Sequence, residues 1–291
     1  MNSSSDSGNA LPALIIVTVM ALIAFAANSL LARAALAEGA ADPAGYTIVR
    51  LVSGAAFLWL VLAWRSRGSM TGKLDGSWLS AAALFAYAIF FSIAYVRLGA
   101  ATGALILFAA VQISMLAWGI YLGERPRPLQ IVGMVLALGG IAYLLLPGIG
   151  SPDPLGAVLM ALSGLAWAVY TMQGRGVSDP IGATAGNFIR SAAFCVPLLA
   201  IGWSWLTMTG EGLVYALTSG VLASGLGYVL WYRALPHLAA TTAAILQLTV
   251  PIIAAGGAIA FLGEDMTTRF AIASVLALGG VALTILARKR T

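Results

Sequence analysis

The amino-acid sequence predicts an all-α polytopic membrane protein of ten transmembrane helices, arranged as two inverted five-helix repeats with both termini cytoplasmic. Three observations lead there: a composition that only a bilayer can solvate, ten apolar runs of spanning length, and a repeat whose loop charges change between its copies. Soluble domains carry roughly 45–50% apolar and about 25% charged residues. This chain has 61% apolar and 9% charged over 291 residues. So few charges cannot cover the surface of a water-soluble fold of that length.

A helix needs roughly 20 apolar residues to cross a hydrocarbon core of about 30 Å. Runs of this kind, separated by Gly, Pro or charge, lie at 12–32, 45–64, 77–96, 100–121, 128–147, 154–173, 184–204, 212–232, 239–262 and 268–287. Short loops join them, with no stretch left over for a soluble domain. The first run follows ten residues without Lys or Arg. A secretory signal needs a basic stretch ahead of its apolar core, so this run is expected to be the first membrane helix.

Orientation follows from basic residues in the loops. With a cytoplasmic N-terminus, the inside loops hold Arg65, Arg67, Lys73, Arg125, Arg127, Arg175, Arg233, Arg288, Lys289 and Arg290, and the outside loops hold Arg33, Arg97 and Arg269. Ten against three places both termini in the cytoplasm of a bacterial inner-membrane protein.

A shift of 140 residues superimposes Val135-Leu-Ala-Leu-Gly-Gly140 on Val275-Leu-Ala-Leu-Gly-Gly280, Leu122-Gly-Glu124 on Leu262-Gly-Glu264, and Arg50 on Arg190. With small gaps, Asp42-Pro43 matches Asp179-Pro180 and Tyr95 matches Tyr232. The halves are thus 1–150 and 151–291. Five spans each is an odd number, so the second copy must enter the membrane upside down. The charges agree: the loop at 65–75 carries three basic residues, and its counterpart near 205–212 carries Glu211 and none. Inverted repeats are a recurring transporter design, with substrate held near the midplane between the halves.

Several functions are excluded or disfavoured. A net charge of +5 without a dense basic patch gives no nucleic-acid surface. One cysteine, Cys195, and one histidine, His237, make neither a disulfide framework nor a metal cluster. Gly68-Ser-Met-Thr-Gly-Lys73 is one residue short of a phosphate-binding loop and lacks its strand and helix. An intramembrane enzyme would need a nucleophile with a base, and only His237, in a loop, is available. No cofactor is expected. The expected partners are a small-molecule substrate and the lipid bilayer.

At this point the chain resembles the drug/metabolite transporter superfamily, in its EamA-type branch. The residues carrying the resemblance are Phe25-Ala-Ala-Asn28-Ser-Leu-Leu31, Tyr46-Thr-Ile-Val-Arg50-Leu, the Leu-Gly-Glu triplets ending spans 4 and 9, and the Gly-Gly pairs of spans 5 and 10. Within that branch it is most similar to YddG-type exporters. The resemblance implies export of aromatic and other amino acids, or similar small metabolites.

Every acidic residue lies in a terminus or loop. Proton-driven carriers usually hold a carboxylate or histidine within the membrane, so a facilitator or exchanger working by alternating access is expected. Candidate substrate contacts are the polar and aromatic residues at helical spacing. Tyr87, Phe91 and Tyr95 share a face of span 3, and Ser224, Tyr228 and Tyr232 a face of span 8. Trp167 and Tyr170 share a face of span 6, opposite Phe25 and Asn28 of span 1. Gln112 and Gln247 lie deep in spans 4 and 9, where an unpartnered amide is costly. For the aromatics, ordinary packing or a lipid-facing belt is the competing reading, and it is preferred for Trp64, Trp78, Trp203 and Trp205 at span ends. Arg50 and Arg190 lie near span ends, where long side chains snorkel to the interface; a place at the cavity mouth, facing a substrate carboxylate, is the alternative. Pro197 and Pro251 are expected kinks, the Gly pairs sites of close helix approach, and Glu124 and Glu264 caps or interface pairs.

Overall fold

The computed structural model describes residues 7–65, 75–123, 125–148, 151–174, 177–202, 206–234, 237–238 and 246–287. They form α1 (Ser7–Ala37), α2 (Pro43–Arg65), α3 (Trp78–Arg97), α4 (Ala100–Tyr121), α5 (Pro128–Leu145), α6 (Pro154–Gln173) and α7 (Pro180–Gly202). Helix α8 runs Gly210–Thr218, continues as a π-helical stretch Ser219–Leu226, and ends with Gly227–Ala234; α9 (Thr249–Leu262) and α10 (Thr268–Leu286) follow. Among the described residues, nine helices are long and apolar enough to span a membrane. The expected span at 239–262 is helical over Thr249–Leu262, 14 residues, and residues 239–245 lie outside the described ones. The near-miss loop at Gly68–Lys73 also lies outside them, as do Glu124, Trp203 and Trp205 and the side chain of Tyr232.

Local chemistry sets the helix starts. Proline opens α2, α5, α6 and α7, where its missing N–H costs no helical bond and its fixed φ suits the first turn. Asp153, Ser77, Thr209 and Thr267 accept the orphan backbone N–H of the residue three later. Pro251 falls in the first turn of α9 rather than mid-helix, so it begins that helix instead of kinking it; Pro197 does sit inside α7.

The two five-helix repeats interlock by exchanging partners. Helix α3 packs along α6 and α7, and its repeat equivalent α8 packs along α1 and α2. Helix α4 lies on α6, as α9 lies on α1. The equivalents α2 and α7, α4 and α9, and α5 and α10 pack directly on each other. This is the contact pattern of one pseudo-two-fold relation between inverted copies.

Glycines set the closest approaches. A Cβ at Gly140 would lie 2.7 Å from the Ala277 backbone nitrogen, and one at Gly280 would collide with the backbone of Gly133 and Ala137. Gly139 and Gly279 would meet nothing within 4 Å. Only the second glycine of each pair therefore serves the α5–α10 contact.

The two ends of the bundle are tied differently. At one end, Asp42 caps α2 through the N–H groups of Ala44 and Gly45 and also accepts from the N–H of Thr207 at 2.9 Å. The same loops exchange backbone bonds from Asp42 to Thr207 and from Thr209 to Ala40. Here too Glu264 caps α4, accepting from Ala100 N at 2.8 Å, and pairs with Arg33 at 3.4 Å. At the opposite end, Asp179, the repeat equivalent of Asp42, pairs with Arg65 at 2.8 Å. Arg190 donates to the Asp75 carbonyl and Asn187 accepts from Ser77 N.

Candidate functional site

The seam between the repeats holds a buried polar and aromatic cluster contributed by five helices and closed by α7. Arg50 of α2 lies at its centre with 2% of its surface exposed. Its Nε donates to Ser224 Oγ at 3.2 Å and its Nη2 to Tyr87 Oη at 3.0 Å. The guanidinium carbon lies 5.1 Å from the Tyr87 ring centre and 4.9 Å from that of Phe91, within cation–π range. Tyr87 Oη also accepts from Asn28 Nδ2 at 3.2 Å, and Asn28 Oδ1 accepts from Ser219 Oγ. Ser163 of α6 binds the Tyr87 carbonyl at 2.9 Å, fixing α3 against α6.

The rings form a continuous layer beside this network. Trp167 lies 4.8 Å from Tyr87, 5.3 Å from Tyr170 and 5.3 Å from Tyr228. Tyr228 contacts Phe188 of α7 and Phe25 of α1. These separations suit tilted and offset aromatic pairs. A cavity of about 370 Å³, lined by Asp75, Ser77, Ser80, Tyr170, Thr184 and Asn187 among others, reaches the layer at Tyr170. It lies at the Arg65–Asp179 end of the bundle. Its volume falls in the range of small-molecule sites.

The π turn of α8 explains how its serines arrive here. Residues five apart sit about 140° from each other around an ordinary α-helix, whereas i→i+5 bonding returns them towards one face. Ser219 thus meets Asn28 while Ser224 meets Arg50. Gly220 between them permits the approach, since a Cβ there would collide with the Arg50 carbonyl and Ser53 Oγ.

Of the residues expected to line a cavity, Asn28, Tyr87, Phe91, Trp167, Tyr170 and Tyr228 come together. Tyr95 joins only through Phe91, at 4.6 Å, and turns its hydroxyl to the Ala100 carbonyl. Gln112 and Gln247 are half-buried and make none of this cluster's hydrogen bonds or ring contacts. Trp64 and Trp78 are 85% and 60% exposed, as the belt reading expects. Arg190 is anchored to a loop carbonyl near its span end. Arg50 does not snorkel: α3 and α8 cover its face of α2 and exclude it from the interface. Sequence reasoning gave Arg50 only a secondary place and passed over Ser219; a polar-small pattern with a spacing of five, Ser219-Gly220 and Ser224-Gly225, was the available signal.

Comparison with known proteins bears on this arrangement. The model of the EamA-like transporter family matches residues 12–146 and again 154–286. An uncharacterized protein of Pseudomonas aeruginosa is 49% identical over 274 residues, covering 94% of this chain and 95% of that one. A Salmonella typhimurium threonine/homoserine exporter, RhtA, is 32% identical over 151 residues, covering 48% of this chain and 49% of the exporter. A solved crystal structure superposes with a TM-score of 0.66 at 19% identity, covering 95% of this chain and 99% of that one, which shows a shared fold. With both halves matched in turn, the chain is a multi-pass inner-membrane protein that belongs to the EamA-like transporter family.

Proposed function

We propose that the protein exports amino acids, aromatic or other, or similar small metabolites, by alternating access of its halves 1–150 and 151–291 about the seam, with both termini in the cytoplasm. The observation that carries this reading is the buried cluster itself: hydrogen-bonding groups and an aromatic wall lie between two inverted repeats, beside a cavity reaching them from one end. The opposite end, tied by the Asp42–Thr207 loops, supports a state closed on that side. In this reading Asn28, Tyr87, Phe91, Trp167, Tyr170 and Tyr228 contact substrate, Tyr95 backs them, and Gln112 and Gln247 act from outside the present cluster. The partial similarity to a threonine/homoserine exporter supports an amino acid as cargo.

Transport is driven by the substrate's own gradient or by exchange. Among the described residues no carboxylate lies deep within a span; Glu211, in the first turn of α8, is the one acid inside a helix. The test is counterflow of labelled threonine and phenylalanine in proteoliposomes. Saturable exchange with no need for a pH gradient is expected. Flux that tracks an imposed pH gradient at constant substrate gradient would overturn the gradient-driven mechanism, and absence of flux for a full amino-acid panel would overturn the cargo class.

A further inference from the structure

Arg50 carries a permanent charge, because a guanidinium does not deprotonate in a protein. A charge so buried is costly unless it is paired and each of its donors finds an acceptor. The described residues meet that need only in part. Nε and Nη2 are taken by Ser224 and Tyr87, and the ring faces of Tyr87 and Phe91 soften the charge. Nη1 is fully buried and makes no hydrogen bond among the described residues. No described carboxylate forms an ion pair with Arg50; Glu264, Asp179 and Asp153 pair with Arg33, Arg65 and Arg97 at the ends of the bundle. The repeat does not impose this condition, since Arg190, the equivalent residue, donates its Nη1 to the Asp75 carbonyl.

We infer that Arg50 Nη1 receives the carboxylate of the transported molecule, so that the cargo is an α-amino acid or another small organic carboxylate. This rests on the transport reading above. A molecule passing Tyr170 and Trp167 meets Tyr87, whose hydroxyl occupies Nη2. If the carboxylate displaces that hydroxyl, one oxygen takes Nη1 and the other Nη2, which is the parallel fork that guanidinium and carboxylate form. Ser224 on Nε holds the plane of the fork in place. The apolar part of the cargo then lies against Trp167 and Tyr228. Asn28 Oδ1 and the freed Tyr87 oxygen are the acceptors available to an ammonium group.

The experiment is competition in counterflow by full-length protein in liposomes. Labelled phenylalanine and threonine are challenged with unlabelled acid, and with phenylalaninamide and threoninamide. In the wild type the acids should compete about 10–100 times better than the amides, the range expected for a hydrogen bond to a charged group. Arg50→Gln should bring that ratio below about threefold, and Arg50→Lys, which keeps a charge but loses the fork, should weaken the acid about tenfold more than the amide. Wild-type acids and amides competing within about threefold would overturn the inference without any variant. So would a monodisperse Arg50→Gln that keeps the wild-type ratio. Should Arg50→Gln aggregate, Arg50→Lys decides, and an unchanged acid-to-amide ratio there overturns it. A wild type that moves no member of a full panel of labelled amino acids and small organic carboxylates removes the transport reading and this inference with it. Transport with an unaltered preference in the variants removes Arg50 alone.

Discussion

The α5–α10 contact gives a sharp test because neighbouring glycines face opposite environments. Gly140→Ala would place a methyl 2.7 Å from the Ala277 nitrogen and 2.9 Å from the Ala273 oxygen, both backbone atoms that cannot swing aside. The helices would have to separate by roughly 0.5–1 Å, a form of overpacking that costs about 1–3 kcal/mol. Gly139→Ala places its methyl in open space and gains up to about 1 kcal/mol in helix propensity. Gly140→Ala gains the same propensity, so the two variants, one residue apart, should differ by the packing cost alone, about 1–3 kcal/mol, which corresponds to about 2–10 °C in melting temperature for a chain of this size. The same ordering should hold for Gly280→Ala against Gly279→Ala. The assay is thermal unfolding of detergent-solubilised protein followed by size-exclusion chromatography. Equal melting temperatures for Gly139→Ala and Gly140→Ala would refute the reasoning, because helix propensity treats the two positions alike and only the packing separates them.

Three further outcomes follow from named contacts. Tyr87→Phe removes the oxygen that accepts from both Asn28 and Arg50; with two buried donors left over it should destabilise by about 1–3 kcal/mol, and a melting temperature equal to wild type would contradict this network. Glu264→Ala removes the trans cap of α4 and the Arg33 pair and should cost about 1–2 kcal/mol, measurable in the same unfolding assay against an Asp265→Ala control. Burial acts to raise the Asp179 carboxyl, but the hydrogen bond from Arg65, the amides of Gly182 and Ile181 and the Arg65 charge outweigh it and hold it below the usual carboxylate range. A carboxylate lowered on folding contributes stability above its unfolded value and loses it as pH falls through the folded one. The pair is largely solvated, so Asp179→Asn should cost less than about 1 kcal/mol at pH 7, and its difference from wild type should shrink as pH drops below about 4. A difference that grows on acidification would reverse the assignment.

The helices and much of the aromatic wall were legible in the sequence, because both rest on periodicity. Tyr87 and Phe91 at i and i+4, and Trp167 and Tyr170 at i and i+3, need only a regular helix to share a face. Arg50 and Arg190 show where that logic ends. They are equivalent by sequence shift, yet one is enclosed and the other is tied to a loop carbonyl. What separates them is the neighbouring helix: α8 reaches Arg50 through a π turn, which residue propensities do not announce and only the serine–glycine spacing of five marks in the sequence. Gln112 and Gln247 lie outside the cluster for a related reason. The cost of an unpartnered amide in lipid shows that such a residue must find polar company, but not which company.

The exchange of partners between the repeats has a consequence for how the chain is made. Arg50 and Ser224 are 174 residues apart, and Asn28 and Ser219 are 191 apart. At about 5–20 residues per second, the ribosome delivers Ser224 on the order of 10–35 s after Arg50. Throughout that interval α1 and α2 hold an amide and a guanidinium whose later partners do not yet exist, on faces that α8 will cover. During synthesis those faces need a polar host, either a water-filled insertase groove or a neighbouring helix. Photo-crosslinkers placed beside these residues, at positions 53 and 25, of stalled nascent chains that keep Arg50 and Asn28 should therefore capture such a host while the chain ends before 219, and lose it once α8 has emerged.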